Sequence, residues 1–376
     1  MLPSRAVAGS LAGVFLGLAS SACSAPAAAP TLEIGAAAPD FALPGVDGKT
    51  YRLADFADAK VLVIVFTCNH CPTAQAYEDR LIRFHAEYKD RGVALVAISP
   101  NDPLAVRLDE LGYTDVGDSL EDMKIRAKDK DFQFPYLYDG EKQDVSRAYG
   151  VLATPHVFIF DRQRKLRYVG RVDDSDVKEV KSHDARNAVE ALLAGKPVPV
   201  EKTRVFGCST KWSEKRPTVT ESLARWNAEP VSLEPIDAAG VRALAANDTE
   251  KLRLVNVWAT YCGPCVEELA ELVTMNRMYR KRKFELITIS LDDLANRQQA
   301  LEFLADKHVS STNFIYGLEN RDALAEALDP QWPGPLPYTL LIAPGGKVIY
   351  RKHDSIDPLE LKQAIVEHLG RTYASR

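Results

Sequence analysis

The chain is 376 residues long, room for two to three domains, and its 46% hydrophobic and 26% charged content is that of soluble units able to bury cores. Its net charge is −5 and it has no basic stripe with interleaved aromatics, which argues against nucleic acid as a partner. Of its six cysteines, four fall in two Cys-x-x-Cys pairs, Cys68/Cys71 and Cys262/Cys265, and the others are Cys23 and Cys208.

Residues 1–22 have the layout of a signal peptide: Arg5 gives a positive start, residues 6–19 are apolar, and small residues follow. The apolar run is short for a membrane span, and no other stretch approaches one. Ser20-Ser21-Ala22-Cys23 resembles a bacterial lipobox, although Ser20 stands where an aliphatic residue is usual. That resemblance implies lipidation of Cys23, a tether over residues 23–33, and a place in the bacterial periplasm or cell envelope. Membrane contact is then expected through the lipid anchor alone.

Residues 34–56 alternate apolar and polar around Gly45 and Asp47-Gly48, which predicts a hairpin. The run Val61–Phe66 predicts a buried strand, and Cys68-Asn69-His70-Cys71 follows it. Ala74, Tyr77, Leu81, Phe84 and Tyr88 then share one helical face. Residues 93–98 read as a second buried strand, and the polar stretch 99–135 as an insertion covering one edge of the site. Thr154-Pro155 precedes a strand over 157–160, residues 166–169 return as an edge strand, and Asp184–Leu193 is a closing helix. The segment 203–212, which carries Cys208, belongs to this unit as a tail, so the first domain covers 34–215. Pro197, Pro199, Pro217, Pro230 and Pro235 mark the boundary, and 216–234 reads as a linker.

The second unit, 235–376, is organised around residues 254–268, LVNVWATYCGPCVEE. A strand runs into Cys262-Gly263-Pro264-Cys265, and Leu269, Leu272 and Val273 then mark one face of a helix. A helix N-terminus offers unpaired N–H groups and the positive end of the dipole, and both favour a thiolate, the reactive form of cysteine. Beyond it come a strand at 286–289, a helix at 296–308, Leu336-Pro337 ahead of a strand at 338–342, a strand at 348–350 and a helix at 359–369. The order strand, Cys-x-x-Cys, helix, then proline and strand occurs in both halves, so the chain reads as an internal repeat.

The WATxCGPC segment resembles the TlpA-type thiol–disulfide oxidoreductases of the thioredoxin superfamily. The G-x-x-A-P-D-F-x-L pattern from Gly35 to Leu43 resembles the opening of its peroxiredoxin and TlpA branches. The resemblance implies an α/β protein of two tandem thioredoxin-like domains, each a central mixed β-sheet flanked by helices. It implies Cys262 as nucleophile, Cys265 as resolving thiol and Glu268 in proton handling. Asn256 stands where thioredoxin carries a buried Asp. Cys68 and Cys71 are implied as a second redox pair, with His70 placed as in the oxidising DsbA pattern. Thr154, Pro155, Leu336 and Pro337 are implied to pair with an incoming substrate. No cofactor or metal is expected beyond redox-active disulfides Cys68–Cys71 and Cys262–Cys265. The expected partners are protein thiols and disulfides and an electron donor protein. The reductive direction is implied, and two unlike pairs point to an electron relay between the domains. Two alternatives stay open for the first domain. Cys71-Pro72-Thr73 resembles the Cys-Pro-Thr of thiol-dependent peroxidases, yet Cys68 and Ile64 then stand where that motif has Thr and Pro. A copper or zinc site can draw on Cys68, Cys71, His70 and His156, although tetrahedral zinc needs four ligands. Cys208 reads as a buried thiol, an accessory redox cysteine or a crosslink.

Overall fold

A computed structural model describes Met1 and residues 30–317 and 320–375, so Cys23 and all but the first residue of the expected signal peptide lie outside the described residues. The first unit opens with the expected hairpin, β1 (Ala42–Pro44) against β2 (Thr50–Arg52). Next come β3 (Val61–Phe66), α1 (Pro72–Tyr88), β4 (Val93–Ser99), α2 (Leu120–Asp129), β5 (Tyr136–Tyr138) and α3 (Asp144–Tyr149). They are followed by β6 (Ala153–Thr154), β7 (His156–Phe160), β8 (Leu166–Gly170), α4 (Asp184–Leu193) and a tail carrying β9 (Cys208–Ser209). The sheet order is β5-β4-β3-β7-β8, with β3, β4 and β5 parallel and β7 and β8 antiparallel. Because helices cover both faces, β3 has no polar alternation. Val61, Val63 and Val65 enter one core with Tyr77, Leu81, Phe84 and Tyr88 of α1, while Leu62, Ile64 and Phe66 enter the other.

The 216–234 segment, read as a linker without regular structure of its own, holds a helix, α5 (Arg216–Asn227). Pro217 lies in its first turn, where the missing N–H costs nothing, so the proline starts the helix instead of breaking it. Trp226 anchors α5 in a buried seat beneath the guanidinium of Arg280, 5.6 Å from the ring centre.

The second unit comprises β10 (Glu234–Pro235), α6 (Ala238–Ala246), β11 (Leu252–Trp258), α7 (Gly263–Tyr279), β12 (Phe284–Ser290) and α8 (Arg297–Asp306). It continues with β13 (Thr312–Ile315), α9 (Arg321–Leu328), β14 (Tyr338–Ala343), β15 (Lys347–His353) and α10 (Pro358–Leu369). Its sheet, β10-β13-β12-β11-β14-β15, repeats the first sheet's order and adds β10 at one edge. Among the described residues no helix is long and apolar enough to cross a membrane.

The insertion 99–135 does more than cover an edge. Leu108 and Leu111 pack against the core of the second domain. Tyr279 donates to the Thr114 carbonyl (3.0 Å), Arg282 to the Gly112 carbonyl (2.7 Å), and Arg371 pairs with both oxygens of Asp115 (2.6 and 3.0 Å). The first domain therefore docks on the C-terminal end of α7.

Candidate active site

In the second domain Cys262 is the N-cap of α7, and its sulfur receives the Cys265 N–H at 3.3 Å. The two sulfurs are bonded, with Cα atoms 5.3 Å apart. Cys265 is buried and Cys262 half-buried, between exposed Tyr261, Gly263 and Pro264. One turn further along, buried Glu268 accepts from Asn256 Nδ2 (2.7 Å) and from the Ile356 N–H (3.0 Å). Burial, with Asp354 adding to it, pushes the Glu268 carboxyl above its ordinary value despite those bonds. Asn256 thus acts as the hydrogen-bond donor that orients this carboxylate. Leu336-Pro337 is a cis peptide at the head of β14; Leu336 is half-buried, and the Pro337 carbonyl accepts the Asp354 N–H at 3.1 Å.

The two Cys-x-x-Cys pairs do not occupy equivalent places. Phe66 lies opposite His156 and beside Ile98, while Val257 lies opposite Tyr338 and beside Ile289. His156 and Tyr338 each follow the cis proline of their unit, so Phe66 and Val257 are counterparts. Five residues on stand Cys71 and Cys262, and each is the N-cap of its helix. Three further, Cys265 is matched by Ala74, and Cys68 is matched by Ala259. The reading of the pairs as copies of one unit is corrected accordingly.

In the first domain all three thiols are free. Cys71 is fully buried, and its sulfur accepts the Cys208 N–H at 3.3 Å and lies 3.3 Å from the Thr154 carbonyl. Burial opposes its ionisation, but hydrogen bonds from Cys208 and Cys68, the charge of His70 and the Ala74 N–H hold it well below the ordinary thiol value. Cys68 is 3% exposed, 3.1 Å from Thr154 Oγ1. Burial, its bond to Cys71 and the Asp118 charge push that thiol well up.

Behind the thiols, His70 Nδ1 lies 2.5 Å from Asp118 Oδ2, with both side chains buried. Asp118 also accepts the N–H groups of Asn69 (3.0 Å) and His70 (3.1 Å), and Asn101 Nδ2 (2.8 Å). Burial opposes charge on both partners, yet their attraction wins, lowering Asp118 and raising His70. His70 Nε2 has no hydrogen-bond partner among the described residues. Asp118 and His70 thus form a buried pair on the Cys71 side of the site, and positive charge on His70 favours the Cys71 anion. Cys68, His70 and Asp118 also offer three ligand atoms within 4.8 Å of one another. His156 lies apart, buried in β7 against Phe158, with burial pushing it down to about 3.

Thr154 stands beside both thiols, but its backbone is already paired with Cys208 of the tail. Asp118, Asn101 and the seating of Cys208 lay beyond sequence reasoning, because the insertion and tail carry no periodicity that fixes where they return. The cysteine offset had a signal in spacing: Cys68 follows the end of its strand by two residues, whereas Cys262 follows by four. Between the two sites runs α7. Cys262 caps its first turn, and Tyr279 at its other end touches the first domain, a separation of about 25 Å at the helical rise.

Residues 34–169 match the model of the AhpC/TSA family, and residues 241–365 match that of Redoxin. The chain is similar to the thiol-disulfide oxidoreductase ResA of Bacillus thuringiensis subsp. konkukian, 24% identical over 164 residues, covering 43% of this chain and 78% of that one. Among solved structures, an uncharacterized conserved protein from Geobacillus kaustophilus is 39% identical, covering 48% of this chain and 93% of its own, with a TM-score of 0.43. A hypothetical protein from Sinorhizobium meliloti 1021 is 36% identical, covering 49% and 97%, with a TM-score of 0.44.

Proposed function

For a chain that is a tandem pair of thioredoxin-superfamily domains, we propose the activity of an exported thiol–disulfide oxidoreductase with one exchange site in each domain. The observation that carries this reading is the disulfide at the start of α7, with Cys262 turned outward and Cys265 inside. Once the disulfide is opened, an external disulfide is attacked by the Cys262 thiolate, and the mixed disulfide is resolved by Cys265. Glu268, with its raised value, can take the Cys265 proton during resolution. The Pro337 carbonyl is taken by the Asp354 N–H, so the Leu336 backbone is what remains to pair with a partner's backbone, which supports a protein disulfide as substrate. In the first domain exchange centres on Cys71 of the Cys68/Cys71 pair, with Cys71 as the anion and His70 as its counter-charge. The favoured direction is reductive, with electrons drawn from a donor protein. Because α7 separates the sites, a relay between them runs through a diffusible dithiol partner in this arrangement. Export to the bacterial envelope and anchoring through a lipid on Cys23 complete the reading.

The test is turnover of a disulfide-bonded peptide with dithiothreitol as electron source. Wild-type protein is expected to accelerate reduction, and Cys262→Ser to remove most of that acceleration. Turnover no faster than dithiothreitol alone contradicts the reading. A second reading for the first domain, a copper or zinc carrier, is favoured by the Cys68, His70 and Asp118 cluster. Stoichiometric metal binding that keeps Cys68 and Cys71 reduced under oxidant replaces the redox reading there.

A further inference from the structure

Beside the Cys68 and Cys71 thiols lies a third sulfur that the reading above leaves idle. Cys208 sits on β9, which pairs antiparallel with β6 so that Thr154 faces Cys208 and Ala153 faces Ser209. That pairing fixes the Cys208 backbone against the site, and its N–H reaches the Cys71 sulfur at 3.3 Å. The approach is tight: a Cβ on Gly207 would stand 2.0 Å from the Thr154 carbonyl oxygen, and its φ of 139° lies where side chains are strained. Past Cys208 the tail stays pinned. The Lys211 N–H donates to Asn101 Oδ1 (2.8 Å), and Asn101 in turn holds Asp118 (2.8 Å). Of the three thiols, Cys208 alone is partly exposed; Cys68 and Cys71 are buried. It lines a cavity of about 570 Å³ at the domain interface with His70, Lys211, Tyr113 and His368.

We propose that Cys208 is a third redox-active cysteine: the disulfide of the oxidised first domain joins Cys71 to Cys208, and the interface cavity is where a small external thiol or disulfide reaches it. This rests on the first domain being a thiol–disulfide exchange site. In the reduced state the Cys208 N–H donates to the Cys71 sulfur, and the neighbouring thiols push Cys208 up and Cys71 down, so the shared proton rests on Cys208. As an external disulfide RSSR enters the cavity, the Cys208 sulfur attacks it, with Cys71 taking the Cys208 proton in the same step as general base. The S–S bond of RSSR breaks, RS⁻ leaves and Cys208–S–S–R forms. Cys71 gives its proton to the departing thiolate and attacks Cys208, releasing a second RS⁻ and closing Cys71–S–S–Cys208. Two electrons have moved from the cysteine pair to RSSR, and one proton has been released with them. In reverse, an external thiolate attacks the accessible Cys208 sulfur and expels Cys71, the better leaving group because its thiolate is stabilised. Cys68 has no such access, and its sulfur is already engaged with Thr154 Oγ1 at 3.1 Å.

The experiment is disulfide mapping of the reduced protein after titration with glutathione disulfide, by mass spectrometry of non-reduced peptides. A Cys71–Cys208 crosslink is expected, with Cys68 alkylated as a free thiol. A Cys68–Cys71 crosslink with Cys208 free overturns the inference and leaves the exchange reading of the first domain standing. First-domain cysteines that all stay reduced while Cys262–Cys265 forms overturn both. As a second arm, Cys208→Ser is expected to slow oxidation of Cys71 at least tenfold, and oxidation at the wild-type rate overturns the inference.

Discussion

The two domains place one cysteine at the same point, the N-cap of the helix after the central strand, and differ in what surrounds it. At Cys262 the second thiol is inside the helix at Cys265, a buried carboxylate lies one turn on, and the edge beside Leu336 is open. At Cys71 the inside place is Ala74, a buried Asp118–His70 pair replaces the carboxylate, and the edge beside Thr154 is filled by the chain's own tail. The comparison teaches that a Cys-x-x-Cys spacing does not by itself define an exchange pair. What decides reactivity is which cysteine the helix end and the neighbouring charges serve.

The comparison breaks most sharply under substitution of the capping cysteine. Cys71→Ser is expected to lower first-domain exchange by about 10³-fold or more, and Cys68→Ser by less, measured as the rate of glutathione-disulfide reduction in a Cys262→Ser, Cys265→Ser background. Equal losses would restore the pair as a symmetric unit. Next in size is Asp118→Asn. Removing one partner of a buried ion pair costs about 3–5 kcal/mol, so denaturant unfolding of the first domain should show a loss of that order. The same change removes what raises His70 and should therefore weaken the hold that lowers Cys71. The wild-type pair also sets a pH window. His70 is raised above 6.5, so its contribution is complete below that value and is lost as pH rises through the folded one. Asp118 is lowered from 3.8, so its contribution holds above that value and is lost as pH falls through the folded one.

Glu268→Gln sharpens the other side. A buried proton acceptor of this kind contributes about 10²-fold, so peptide-disulfide turnover should fall by that order. Because the folded carboxyl is raised above 4.5, it subtracts stability as pH rises through that value, and the variant should melt no lower than wild type at pH 7. A lower melting temperature with unchanged turnover would make Glu268 a structural residue. The smallest effect is expected from Gly207→Ala, where a strained φ and a clash with the Thr154 carbonyl cost about 1–3 kcal/mol. Displacing the tail should let iodoacetamide reach Cys71 faster than in wild type, bringing the first site closer to the openness of the second.

Much of the fold was legible because both units follow elementary periodicities. Val61–Phe66 and the run around Val257 are buried on both faces, so they stand out as uninterrupted apolar strands, and Asp184–Leu193 ends where its apolar pattern ends. Helix α5 was hidden by Pro217, which reads as a breaker until its first-turn position is known. The second site was legible almost whole, since Cys262, Cys265 and Glu268 lie on one short segment. The first was legible only in part. Its charge comes from Asp118 and its third sulfur from Cys208, 47 and 137 residues from Cys71 along the chain, and only the folded insertion and tail bring them back. The offset of the two pairs needed the strand register, which a count from cysteine to cysteine conceals.

The central claim is that Cys71 is the counterpart of Cys262 and carries the thiolate of the first domain. Its most direct test is a pH titration of the ¹³Cβ shifts of labelled cysteines in the reduced protein, which reads buried thiols as well as exposed ones. The account predicts that Cys71 titrates well below the ordinary thiol value, with Cys68 and Cys208 above it. A Cys68 that ionises before Cys71 would contradict it.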